Sequence, residues 1–336
     1  IFKSGIGAMS IRTIGLAVLG SLCVIVAGLA AIVFLVFPRV SAAPDMKVEL
    51  TAERVARGDY LFNKALACSG CHTPQLAPRR FSGVTDPAQP AAGRYMGGPA
   101  FGFPAEIYAP NLTPAKLGSW SDGEIYRAIV SGVTREGHSM FAVMPYVFYK
   151  GLDTADAEAL VAYLRSIPPS PLEHPAVELP FPVATAMRFV VADPAPETIT
   201  GPRDELAQGK YLAFAGACFE CHTLRNDKGE PVGAPFAGGN IFGLEGGGLA
   251  RSANITPDED TGIGAWSRED FIARFRSRTP EALNDVLPKA GDMDSEMPWA
   301  AYAGMTEADL GALYAYLRTV PPVSAEVITF EPPAAK

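Results

Sequence analysis

Residues 58–72 read GDYLFNKALACSGCH and residues 209–222 read GKYLAFAGACFECH, and the match between the two halves of the chain continues beyond them. Asn111-Leu112-Thr113-Pro114 is answered by Asn254-Ile255-Thr256-Pro257, and Trp120-Ser121 by Trp266-Ser267. Met144-Pro145-Tyr146 is answered by Met297-Pro298-Trp299, and Ala162-Tyr163-Leu164-Arg165 by Ala315-Tyr316-Leu317-Arg318, each followed by a proline pair. Cys218 follows Cys68 by 150 residues, and the other pairs keep close to that offset. So many matches in one order mean a tandem duplication.

Each unit opens and closes on helix signals. The first helix of unit one is expected to follow Thr51 as N-cap and to run into Cys68. The last helices are expected to be capped by Asp153 and Thr306. Leu160, Val161 and Leu164 would form one apolar stripe, with Leu313, Tyr314 and Leu317 as counterparts. Arg165 and Arg318 suit the negative end of the helix dipole, and Pro168 and Pro321 prevent continuation. Between these helices lie glycine- and proline-rich stretches with little strand periodicity. The chain holds 33 glycines and 30 prolines, yet 48% of it is hydrophobic, which favours compact units with ordered loops over disorder. The fold class is therefore mainly α with long loops. The units are set at residues 50–168 and 204–325, with a proline-rich linker at 169–203 read as lacking a helical pattern and a tail at 326–336.

Residues 1–45 form an expected membrane anchor. Ile14 to Phe37 is 24 residues without a charge, enough to span a hydrocarbon core of roughly 30 Å. The competing reading is a cleaved signal peptide, with Ser41-Ala42-Ala43 as the cleavage site, but the apolar run exceeds the usual signal length of about 7–15 residues. Lys3 and Arg12 precede the run and Arg39 follows it. Cys23, inside it, is read as a small packing residue. Gly15, Gly20, Ala27 and Gly28 are small residues that would let another helix approach. Net charge is −8 with a pI near 5.2, which argues against a nucleic-acid partner and suits a basic protein partner.

Cys68-x-x-Cys71-His72 and Cys218-x-x-Cys221-His222 read as c-type haem attachment sites. On a helical turn, residues i and i+3 share a face, so both thiols can form thioethers with the vinyl groups on one side of a porphyrin. The adjacent histidine then reaches the iron. A zinc site would need further Cys or His ligands, and only His138 and His174 remain, neither of them repeated. A redox Cys-x-x-Cys would not require the histidine. The expectation is two covalent haem c groups.

At these motifs the sequence resembles the class I cytochrome c family. It is similar, more narrowly, to the multihaem cytochrome subunits of bacterial membrane-bound dehydrogenases for alcohols, gluconate and related substrates. The stretch from Asn254 to Ser267, NITPDEDTGIGAWS, carries that likeness, which extends over residues 50–325. Those subunits commonly carry three haems and an anchor near the C-terminus, whereas this sequence shows two motifs and an apolar run near its start. The resemblance implies two tandem cytochrome c domains, with His72 and His222 as proximal ligands and Met144 and Met297 of the Met-Pro motifs as distal ones. Unit one also offers Met96 and Met140, and unit two offers Met293 and Met305, with Met140 and Met293 the nearest rivals. His138 is read as an exposed loop residue, the alternative being bis-His ligation of the first haem, and His174 is read as exposed. Trp120 and Trp266, and Asn111 and Asn254, are candidate donors to haem propionates or else loop-capping and packing residues. Tyr60 and Tyr211 are read as haem-packing aromatics.

The function expected is electron transfer at the periplasmic face of a bacterial inner membrane. The chain would act as a subunit of a respiratory, photosynthetic or dehydrogenase complex, passing electrons to a soluble cytochrome or oxidase. Histidine–methionine ligation gives a closed, raised-potential iron suited to that role. The alternative is a dihaem peroxidase, which needs one iron able to open.

Overall fold

The computed structural model describes residues 11–76, 83–99, 102–190, 203–226, 229–244, 248–284 and 295–333. Lys3 and Met293 lie outside these residues.

Each unit is built on a crossing of its first and last helices. Ala52–Tyr60 packs on Thr154–Ser166 in unit one, and Glu205–Ala215 packs on Glu307–Leu317 in unit two. Gly58 and Gly209 make the crossings possible. A Cβ on either would lie 1.9 Å from the carbonyl oxygen of Ala159 or Ala312, so only a glycine lets the two backbones approach this closely. Leu160, Val161, Leu164, Leu313 and Leu317 are buried, as the helical periodicity requires. Tyr314 is half-buried and donates its hydroxyl to the Trp266 carbonyl at 2.8 Å.

Three helix expectations need correction. The first helix does not run unbroken into Cys68. It widens to a π-helical turn over Leu61–Ala65, and Ala67 then takes a left-handed conformation (φ 50°) before a separate helix, Cys68–His72. Unit two repeats the break at Ala217 (φ 59°), ahead of Cys218–His222. A left-handed alanine is uncommon and costs of order 1–2 kcal/mol, and here it re-aims the chain so that the attachment turn leaves the helix axis. Thr51 and Thr306 do cap, accepting from Arg54 N and Asp309 N. Asp153 stands at the cap position, but its carboxylate turns away to pair with Arg203 at the end of the linker. The linker does contain a helix, Phe181–Val190. Its proline, Pro182, occupies the first turn, where a missing N–H breaks no helical bond.

Short antiparallel strands complete each unit: Arg94–Gly97 with Ile107–Ala109, and Ile241–Gly243 with Leu249–Arg251, the last also pairing with Phe330–Glu331. The linker folds back on unit one, where Val177 and Leu179 pack on Met96, Ile107 and Ala109. The N-terminal helix, Ile11–Val36, is exposed along its length, and by length and composition it can cross a membrane. The two units share one hydrophobic core, in which Ala65, Leu66 and Tyr149 join Leu212, Tyr302 and Met305.

Candidate haem-binding cavity

The two Cys-x-x-Cys-His turns open into one continuous cavity of 1520 Å³ between the units. Its wall carries Cys68, Cys71, His72 and Met144 from unit one and Cys218, Cys221, His222 and Met297 from unit two. A pocket for one drug-sized ligand is usually about 300–1,000 Å³. The walls are largely apolar, with Phe62, Leu66, Ile129 and Leu164 on one side and Phe242 and Trp299 on the other.

Both histidines are held in one tautomer. His72 Nδ1 donates to the Pro110 carbonyl at 3.1 Å, and His222 Nδ1 donates to the Ala253 carbonyl at 2.7 Å. Each leaves Nε2 with a lone pair, the arrangement of a metal-binding imidazole oriented by a carbonyl behind it. Burial brings His72 down to about 4 and lowers His222 as well, so both rings are neutral at pH 7. The four cysteines are half-buried, and desolvation pushes their thiols upward, Cys68, Cys218 and Cys221 to about 12. Such thiols are not thiolates at neutral pH, which disfavours a thioredoxin-like couple. Among the described residues, no cluster of three or more His, Cys, Asp and Glu could hold a bare metal ion. The donor set of two half-buried thiols, a lone-pair imidazole and a methionine thioether on the same largely apolar cavity wall fits haem c in each unit.

The structure also sorts the secondary candidates. Met96 and Met140 lie on the cavity wall, whereas Met305 is buried in the shared core. His138 is exposed at the rim. His174 is half-buried, contrary to expectation, with Nε2 3.0 Å from the Ala92 carbonyl, because the linker folds back over unit one. Asn111 and Asn254 are not free to bind propionates. The Asn111 amide donates to the Ser170 and Leu172 carbonyls, and that of Asn254 to Thr261 and the Val323 carbonyl. Trp120 lies on the cavity wall; Trp266, 36% exposed, is not among the lining residues. Tyr60 and Tyr211 are likewise absent from the lining; they bridge the two units instead.

Sequence reasoning missed Tyr149 and Tyr302, which line the cavity where the units meet. Tyr149 hydrogen-bonds the Cys68 thiol, and Tyr302 donates to the Gly216 carbonyl at 2.6 Å. Burial holds both hydroxyls well above the usual tyrosine range. The repeat carried the signal, since each tyrosine stands five residues after its Met-Pro methionine.

Comparison with known proteins agrees with this geometry. The chain is 28% identical to the fructose dehydrogenase cytochrome subunit of Gluconobacter japonicus, over 84% of this chain and 56% of that protein. It is 28% identical to the alcohol dehydrogenase (quinone) cytochrome c subunit of Gluconacetobacter polyoxogenes, over 72% of this chain and 54% of the relative. A diheme cytochrome c-type protein of Cereibacter sphaeroides is 30% identical over 38% of this chain and 40% of its own length. The chain thus spans about half the length of the curated relatives it matches most broadly. The cytochrome c family model matches twice, at residues 55–168 and 206–321, once over each unit. With the domain repeated and a site that fits haem c in each repeat, the chain belongs to the cytochrome c family.

Proposed function

We propose that this chain carries two haem c groups and passes electrons between them as the electron-carrying part of a membrane-bound dehydrogenase complex. The observation that carries the reading is the single cavity with both attachment turns and both Met-Pro motifs on its wall. Cys68 and Cys71 would bind one haem, and Cys218 and Cys221 the other. His72 and His222 would serve as proximal ligands, and Met144 and Met297 as distal ones. Haem c supplies a reversible one-electron iron couple when bound.

The protein's own contribution is positioning and exclusion of water. The Pro110 and Ala253 carbonyls orient the two imidazoles. Pro145 and Pro298 stiffen the loops that present the methionine sulfurs. The apolar walls and the shared core keep solvent from the space between the sites. The relatives' names, fructose dehydrogenase and quinone alcohol dehydrogenase cytochrome subunits, support a dehydrogenase as the electron donor. The helix Ile11–Val36 would anchor the chain in the inner membrane with the haem domains in the periplasm, passing electrons on to a soluble cytochrome or an oxidase. The peroxidase alternative is not carried forward, since the relatives above are named as cytochromes.

The test is haem content followed by a redox titration of the purified chain. Two covalent haems per chain, both low-spin when oxidised and both at raised potential, are expected. One haem, or a high-spin iron, would overturn the reading.

A further inference from the structure

The helix Phe181–Val190 is unlike an ordinary surface helix. Phe181 is 71% exposed and Phe189 53%, and Pro182, Ala184, Ala186 and Val190 are exposed beside them. A helix facing water carries a polar outer face. The exposed residues of this one are all apolar, with the half-buried Thr185 among them, and its single charged residue, Arg188, turns to the long helix.

Arg188 donates to the Val33 carbonyl at 3.2 Å and the Phe34 carbonyl at 3.0 Å, and also to the Phe37 carbonyl. These lie at the C-terminal end of the long apolar helix Ile11–Val36, where the last carbonyls have no helical partner and the dipole is negative. Ring contacts extend the junction: Phe37 meets Phe189 at 4.7 Å between centroids, and Phe34 meets Phe181 at 6.4 Å. The short helix is therefore fastened to the point where the long one would leave the hydrocarbon core. The same end is tied to unit one, through Val40 packed near Tyr146 and through Val48 N donating to Asp122 at 2.8 Å.

We infer that Phe181–Val190 is an interfacial membrane helix, with its apolar outer face in the outer leaflet of the lipid bilayer and Arg188 clipping it to the anchor. This rests on the reading of Ile11–Val36 as a membrane anchor. Placement at the headgroup boundary suits a helix of this length, which is too short to span. Two fixed points, an anchor and a surface helix, set the height and tilt of the haem units over the membrane, which one flexible tether would not do.

The test uses the full chain in phospholipid nanodiscs with no other protein, with spin labels read by their collision rates with oxygen and with a water-soluble nickel chelate. A label on the native Cys23 reports the anchor. A label on Phe189→Cys in a Cys23→Ser background reports the helix, and one on Lys150→Cys in that background is the water reference. The oxygen-to-nickel ratio at position 189 is expected several-fold above the reference, and Arg188→Gln should bring it back toward the reference. A Cys23 label in water would sink the anchor reading itself. A buried Cys23 label with a water-exposed label at position 189 would overturn the interfacial helix alone, as would an unchanged ratio in Arg188→Gln for the clip.

Discussion

Tyr211 of the second unit donates its hydroxyl to Asp156 of the first at 2.7 Å, within the bidentate grip of Arg57 on the same carboxylate at 2.8 and 2.9 Å. The duplication repeats the contact in reverse, with Tyr60 donating to Asp309, which also accepts from Gln208 at 2.8 Å. Each tyrosine lies on a first helix, and each aspartate on the last helix of the other unit. The two repeats are thus clamped by a reciprocal pair of contacts. A hydrogen bond to a charged group contributes about 1.5–3 kcal/mol. Tyr211→Phe is expected to cost that much in thermal unfolding of the holoprotein. Combined with Tyr60→Phe, it should split one unfolding transition into two; a single unshifted transition would show that the clamp does not couple the units.

The same contact sets an alkaline limit. Desolvation, with the Asp309 carboxylate adding to it, raises Tyr60 to about 12 from its ordinary 10.0. A folded value above the unfolded one means that the native state holds the proton more tightly. The stabilisation is full below pH 10 and is lost as pH rises toward 12. Circular dichroism against pH should show the loss of structure in this window, shifted in Tyr60→Phe. An unshifted curve would remove Tyr60 from the account.

The methionines divide the two sites. Met144→Ala and Met297→Ala are each expected to turn one haem high-spin, lower its potential and let added imidazole bind, leaving the other haem unchanged. His138→Ala should leave both low-spin, since that ring stands exposed at the rim. Optical and EPR spectra decide it. If Met140→Ala has the effect expected of Met144→Ala, the distal ligand of unit one is Met140.

Arg165 and Arg318 occupy matching positions in unlike surroundings. Arg165 is half-buried, pairs with Asp122 at 2.8 Å and donates to the Leu117 and Trp120 carbonyls. Arg318 donates to the Gly264 carbonyl at 2.6 Å, with no acidic partner among the described residues. A hydrogen bond to a charged group contributes about 1.5–3 kcal/mol, and an ordinary one about 0.5–1.5. Arg165→Ala should therefore destabilise far more than Arg318→Ala in denaturant unfolding. Equal losses would mean that the Asp122 pair contributes nothing.

Gly58→Ala and Gly209→Ala should each cost about 1–3 kcal/mol, since the added Cβ forces the crossing helices apart. Thermal denaturation of the holoprotein measures it, and a neutral result would show that the crossing can yield.

The duplication, the paired Cys-x-x-Cys-His motifs, the Met-Pro motifs, the long apolar run near residue 25 and the stripe on the last helices were all legible in the amino-acid sequence. Each is a matter of residue type at short spacing, where local geometry leaves few choices. What Asn111, Tyr60 and Asp153 do was decided only by tertiary structure, because their partners lie 59, 249 and 50 residues away in sequence. The break at Ala67 was hidden because alanine is the best helix former, and packing overrode that preference. The prolines of the linker masked the helix at Phe181–Val190, because a proline in the first turn reads the same as one that breaks a helix. The joining of two attachment sites in one cavity depends on how the repeats meet, and short-range spacing within one repeat carries no trace of that contact.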